Sequence, residues 1–287
     1  STKHWKRPKL RWKRSKNVNY YVHIFHTVGD PVTYRMFGLD FYDSVLLTGE
    51  YQTEQLRKIE ALRNLKPKEL PIIGCTYLDF MRDKLLKEKP YNNNSNNKMI
   101  LLAPTWGASG ILYKYGEKLL DALCKTGYKI VVRPHPQSFT NEKELLEYLM
   151  NKYPESEHFS WNRDNDNFKV LNESDILITD YSGIIFDYAF VFQKPLICAD
   201  TNFNSAPYDA AWIEKKLWTF ENLPKISRIL NEDDFSDLKN IIDNMINNKE
   251  FEQQRLEVQK ECWANIGHSA ELTTDYLIKK NIELNKK

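Results

Sequence analysis

Four short stretches of the chain hold side chains able to grip and transfer an anionic group. They are His26-Thr27, Pro104-Thr105-Trp106, Arg133-Pro134-His135-Pro136 and Asp180-Tyr181-Ser182-Gly183. The last three offer a guanidinium, an imidazole, two hydroxyls and the start of a helix, which is the chemistry of an oxyanion pocket. No Asp-x-Asp-like pair is expected beside this constellation, and neither a GxxxxGK[ST] loop nor a GxGxxG turn occurs. Phosphate binding would rest on Arg, His and backbone N–H, with no obligate cation or with a weakly held divalent one.

Each residue has a plainer reading beside the functional one. His135 stands between two prolines that fix its backbone, which favours binding over solvation. Arg133 reads as a ligand of the anion, against a structural ion pair. His26 ends a strand before a glycine turn and reads as functional, against a satisfied core histidine. His23 shares that strand and reads as structural. His4, His158 and His268 have no supporting context. Asp187, one turn past the Ser-Gly pair, reads as support for the preceding turn.

These residues must be held by strand ends. Ser174–Phe190, SDILITDYSGIIFDYAF, is the clearest case. Ile176, Leu177 and Ile178 form a run typical of a strand buried on both faces. Thr179 to Gly183 interrupt it with turn and capping residues, and apolar residues at helical spacing follow. Similar strands are expected at 18–30, 43–48, 69–74, 99–103, 128–132 and 195–198, with an edge strand at 158–161. Helices are expected at 49–65, 77–87, 115–125, 141–153, 168–172 and 234–247, then one long helical stretch over 250–287. Strands alternating with helices imply α/β architecture with parallel, doubly wound sheets. In such sheets ligands bind beyond the carboxyl ends of the strands.

Residues 89–98, KPYNNNSNNK, are poor in apolar side chains and mark a linker. The expected organisation is a basic tail (1–17), a partial first domain (18–90), an Asn-rich linker (91–98), a donor domain (99–265) and a C-terminal helix (266–287).

The net charge of +2 over 287 residues conceals an asymmetry. Eight of the 41 Lys and Arg lie within residues 1–16, with no acid, so the rest carries −6 against its 39 acidic groups. With Trp5, Leu10 and Trp12 interleaved, that segment reads as a contact for an anionic membrane surface or anionic polymer. Nucleic acid is the weaker reading. No apolar run approaches the roughly 20 residues that span a bilayer. Four widely spaced cysteines without a CxxC pair suggest neither a zinc knot nor a disulfide framework and fit a reducing cytoplasm. The expected location is cytoplasmic, at the inner membrane face.

Arg-Pro-His-Pro, then Ser174–Phe190, then Lys194-Pro195-Leu196-Ile197, resembles the CDP-glycerol glycerophosphotransferase family of teichoic acid primases and polymerases. Ala103-Pro104-Thr105 is similar to the family's Ala-Pro-Thr segment, Gly74 to Asp79 to its Gly-x-x-x-x-Asp stretch, and Phe25-His26-Thr27 to its Trp-His-Gly core. The similarity covers about 20–280 and is densest at 133–136 and 174–195. It departs at Phe25 and Thr27, and in the short first domain.

The resemblance implies a GT-B arrangement, two Rossmann-like domains facing across a cleft, with the first incomplete. It implies transfer of a polyol phosphate from a CDP-polyol to a hydroxyl of a lipid-linked or polysaccharide acceptor, releasing CMP. His26 would be the general base, and His135 with Arg133 would steady the diphosphate. Thr179, Asp180, Ser182 and Gly183 would bind the donor, and Thr105 and Trp106 would line the cleft. The alternatives are a GT-B glycosyltransferase using a nucleotide sugar, and a non-catalytic module for an anionic polymer.

Overall fold

A computed structural model describes residues 14–35, 37–88, 91, 97–208 and 210–286. The first thirteen residues of the basic tail and most of the Asn-rich linker lie outside the described residues.

The larger unit is a six-stranded parallel sheet. Its strands are β3 (Met99–Leu102), β4 (Lys129–Val132), β5 (Phe159–Trp161), β6 (Ile176–Thr179), β7 (Leu196–Ala199) and β8 (Arg228–Leu230), in the order β5-β4-β3-β6-β7-β8. The smaller sheet pairs β1 (Val22–Ile24) with β2 (Ser44–Leu46), again parallel. Residues 69–74 add two isolated parallel bridges, Ser44 to Glu69 and Leu47 to Ile72, where a full strand was expected. In the large sheet the chain reverses its direction of winding between β3 and β6. The carboxyl ends of these two strands therefore open a crevice.

The alternation of side chains across the large sheet separates two apolar layers. Ile100, Leu102, Ile176, Ile178 and Ile197 face α3 (Ile111–Cys124), α5 (Lys143–Lys152) and α9 (Leu238–Asn247). A one-turn helix, α4 (Ser138–Asn141), leads into α5. Leu101, Leu177 and Leu196 face the other way, onto Tyr188, Phe190, Trp218 and Trp263. Val28, Cys75, Leu78 and Met81 of the smaller unit join this second layer. The two units thus share one core, and a further cluster around Phe25, Val45, Leu47 and Leu56 fills the smaller unit.

α1 (Tyr51–Arg63) and α2 (Thr76–Glu88) follow β2, and α2 packs on the helical segment after β6. That segment is only one α-turn, α7 (Ile184–Phe186), and continues as a π-helix over Asp187–Phe192. The sequence predicts a regular helix here. α6 (Phe168–Glu173) leads into β6 as expected.

Two features were not legible in the sequence. α8 (Trp218–Ile226) carries Pro224 inside it, and β8 is three residues long. The expected helix over 250–287 is divided into α10 (Glu252–Cys262) and α11 (Ser269–Asn285). Asp79 of α2 accounts for the division. Its Oδ1 accepts the Trp263 indole N–H at 2.9 Å and the Gly267 N–H at 2.8 Å, and its Oδ2 accepts the Ser269 N–H at 2.9 Å. Backbone donors that a continuous helix would pair internally are pinned on a buried carboxylate. Gly74 permits this return. It has φ of 96°, and a Cβ there would stand 2.2 Å from the Ala264 carbonyl oxygen.

Candidate active site

His26 lies two residues past β1. Phe25 points into the core at 3% exposure, so the alternation of the chain turns His26 outward. The following turn is fixed by Asp30. Its carboxylate accepts Trp218 N–H at 2.8 Å and Thr219 N–H at 2.9 Å, the unpaired donors at the start of α8, and Gln55 Nε2 at 2.5 Å. The loop that carries His26 is thereby anchored to the larger unit.

Opposite it, β4 ends in Arg133-Pro134-His135-Pro136. The Gln137 backbone N–H donates to His135 Nδ1 at 3.1 Å. That bond fixes the neutral tautomer with its proton on Nε2, leaving Nε2 as a hydrogen-bond donor. Burial lowers the His135 pKa, against the opposing charge of Glu142, which favours the neutral form. The Trp106 ring lies 6.3 Å from the His135 ring, tilted by 34°. The Arg133 guanidinium donates to the Asn162 side-chain oxygen, and burial lowers its pKa while leaving it a cation at neutral pH.

One cavity of about 470 Å³ brings His26, Arg133, His135, Ser182 and Gly183 together. Tyr77 of α2, Asn167, Thr27 and Asp187 complete the parts of its wall that matter chemically. Five residues expected at the site therefore meet in one place.

Thr179 and Asp180 do not line that cavity as ligands of a donor. The Thr179 hydroxyl is fully buried and donates to the Ala103 carbonyl at 2.5 Å. The Asp180 carboxylate accepts Thr105 N–H at 3.0 Å, Ile111 N–H at 2.9 Å and Ser182 N–H at 3.1 Å. Burial raises its pKa to about 6 even so. Asp180 thus ties the ends of β3 and β6 to the start of α3, and it positions Ser182 without facing the ligand. Thr105 is held in that knot through its backbone. Neither Thr105 nor Trp106, both expected to line the cleft, is among the residues lining this cavity, although the Trp106 ring lies beside His135.

Contrary to the expectation that no Asp-x-Asp pair stands beside the site, Asp164-Asn165-Asp166 borders it, and Asn165 and Asp166 line the cavity. Both acids have partners. Asp166 accepts Lys84 Nζ at 2.7 Å and Phe168 N–H at 2.9 Å, and Asp164 accepts Asn162 Nδ2 at 2.8 Å. Among the described residues no group of three or more His, Cys, Asp or Glu is placed to hold a metal ion.

Asp187, expected to support the Ser-Gly turn, is a member of the cavity wall. It is 6% exposed, and its Oδ1 has no hydrogen-bond partner. Burial alone pushes its pKa up to about 7. The only signal in the sequence was an acid inside an otherwise apolar helical run. His23 is structural, as expected. Its ring meets Phe25, Tyr34 and Tyr42 edge-on, and burial pushes its pKa down to about 4.

Comparison with known proteins gives a consistent result. The chain is 35% identical over 113 residues to the teichoic acid poly(glycerol phosphate) polymerase of Bacillus spizizenii (strain ATCC 23059 / NRRL B-14472 / W23). It is 26% identical over 163 residues to the minor teichoic acid biosynthesis protein GgaB of Bacillus subtilis (strain 168). These matches cover 36% and 54% of this chain but only 26% and 15% of the relatives' lengths. Among solved structures, the wall teichoic acid polymerase TagF superposes with a TM-score of 0.57 at 18% identity, over 98% of this chain and 72% of that one. The UDP-GlcNAc 2-epimerase of Neisseria meningitidis superposes with a TM-score of 0.56 at 14% identity, over 90% and 69%. At such identities the likeness is one of fold, and the fold is GT-B-like. The profile of CDP-glycerol:poly(glycerophosphate) glycerophosphotransferases matches residues 39–264, starting after His26 and including Arg133, His135 and the Ser182-Gly183 turn. The chain belongs to this glycerophosphotransferase family.

Proposed function

We propose that this chain transfers a glycerol phosphate, or a closely related polyol phosphate, from a CDP-linked donor to an acceptor hydroxyl, releasing CMP. The observation that carries the reading is the meeting of His26 and His135, from opposite units, in one cavity with Arg133 and Ser182-Gly183. The family's description supports the donor class, and the name of the Bacillus spizizenii relative supports the product class.

The acceptor hydroxyl must lose its proton as it attacks the distal phosphorus. An imidazole titrates near neutrality and is suited to take that proton, and His26 is the exposed imidazole on the cavity wall. The bond from that phosphorus to the bridging oxygen breaks, and negative charge gathers on the departing CMP. Arg133 meets that charge as a cation, and His135 meets it through the Nε2 proton fixed by Gln137. Ser182 adds a hydroxyl, and Gly183 lets a phosphate approach the backbone. Arg133 supplies one positive charge and His135, Ser182 and the backbone supply neutral donors, and on this reading a divalent cation, if it takes part, is weakly held.

The test is a donor panel. CDP-glycerol, CDP-ribitol and UDP-sugars are supplied in turn with an acceptor, with and without EDTA. Release of CMP from a CDP-polyol, persisting in EDTA, is the expected outcome. Release of UDP alone would assign the chain to nucleotide-sugar glycosyltransfer. Abolition of turnover by EDTA would restore an obligate cation.

We further propose that residues 1–16 hold the protein against an anionic surface while a lipid-linked or polysaccharide acceptor is extended, at roughly 1 kcal/mol per basic residue near the surface. No helix among the described residues is long and apolar enough to cross a membrane. Co-sedimentation with vesicles containing phosphatidylglycerol, lost at high salt, is the expected behaviour.

A further inference from the structure

Thr27, the residue after His26, occupies an unusual place in the cleft. It lines the transfer cavity of about 470 Å³ and also a second, smaller cavity of about 170 Å³ on its other side. It is therefore part of the partition between them. Gly183 lines both cavities as well and meets Thr27 within the partition. A Cβ built on Gly183 would lie 3.2 Å from Thr27 Oγ1 and 3.5 Å from its Cγ2, so the threonine side chain rests directly on the Ser182-Gly183 turn. Its hydroxyl is enclosed by protein and has no hydrogen-bond partner. A buried polar group in that condition is paired in most folded proteins, and an exception at a ligand cavity points to a missing partner.

The chemistry of the surrounding wall indicates what the partner is. Arg133, His135 Nε2 and Ser182 offer donors, as an anion requires. The Thr27 hydroxyl also has a proton to give, and it approaches from the opposite unit. We infer that Thr27 Oγ1 donates a hydrogen bond to a non-bridging oxygen of the phosphoryl group in transfer, closing the ring of donors from the His26 side. Because Oγ1 is enclosed, a phosphoryl oxygen reaches it when Thr27 parts from Gly183, which has no side chain to obstruct the phosphate. The inference rests on the proposed phosphoryl transfer. It adds a substrate-contacting residue at the position where the sequence departs from the family's Trp-His-Gly core.

The test compares T27V, which keeps the shape and removes the hydroxyl, with T27S, which keeps the hydroxyl. CMP release from CDP-glycerol gives kcat/KM, calorimetry gives the Kd of CDP-glycerol, and thermal melting reports folding. T27V should lower kcat/KM by about 10- to 100-fold while melting no lower than the wild type, and T27S should recover most of the loss. A folded T27V with kcat/KM within about twofold of wild type would overturn the role. So would T27S falling as far as T27V, because shape and not the hydroxyl would then matter. If the wild type binds CDP-glycerol but releases no CMP, phosphoryl transfer fails as a reading, and a T27V Kd equal to that of the wild type removes the Thr27 contact as well. A wild type that neither binds nor turns over CDP-glycerol overturns both.

Discussion

Asp187 is the residue whose chemistry departs furthest from expectation. Its carboxyl is buried, lacks a partner for Oδ1, and has a pKa raised by desolvation from 3.8 to about 7. The consequence for stability has a definite sign. Between about pH 4 and pH 7 the folded state keeps a proton that the unfolded state has released, so Asp187 erodes stability as pH rises through that window. Above pH 7 the full penalty persists. Asp187→Asn cannot ionise, so it should melt higher than the wild type at pH 8 and close to it at pH 4. The difference at pH 8 should be on the order of 2–4 kcal/mol by linkage. Asp180 shifts in the same direction, so the variant's difference from wild type, and not the wild-type curve alone, is the quantity to measure. Equal stability at pH 8 would show that the carboxylate finds compensation in the folded protein. The sequence showed Asp187 as an acid among apolar neighbours but could not show its direction. That depends on the π-helical turn at Asp187–Phe192, and no local pattern announces one.

At the scale of elements, the site depends on how strand ends are tied together. Asp30 is the tie that holds the His26 loop against the first turn of α8. Asp30→Ala strips two backbone N–H groups and Gln55 of their acceptor, at a cost of about 2–4 kcal/mol. It should lower CMP release more than it weakens binding of CDP-glycerol, because Arg133, His135 and Ser182 lie on the other unit. Urea unfolding and calorimetry separate the two effects. Loss of donor affinity equal to the loss of turnover would mean that α8 also shapes the donor grip. The strands that carry the grip were legible because β3, β4, β6 and β7 are short apolar runs bounded by turn residues. β8 and α8 were not. Three residues give no periodicity, and Pro224 argues against a helix until its place in the fold is known. The break between α10 and α11 was equally hidden, since Asp79, which causes it, is 184 residues from Trp263 in the chain.

At the scale of the whole molecule, the two units are joined by more than the cleft. Val28, Cys75 and Leu78 pack in one apolar layer with Leu177, Tyr188 and Trp263, and α11 returns to α2. The expected facing arrangement came from the family resemblance, whereas the alternation of strands and helices made the parallel, doubly wound sheets legible. The shared core was not, because it depends on which faces of α2 and the π-helix meet. A cleft built this way sets His26 opposite His135 through buried contacts, so each histidine can be removed without dismantling the other's supports.

That separation permits the most direct test of the account. CMP release in a single turnover, with CDP-glycerol and an acceptor, is compared in wild type, His26→Ala and His135→Ala, alongside the Kd of CDP-glycerol for each. The account predicts a loss of at least about a hundredfold in rate for His26→Ala with affinity for the donor retained, and losses in both rate and affinity for His135→Ala. A folded His26→Ala protein that releases CMP at the wild-type rate would contradict it.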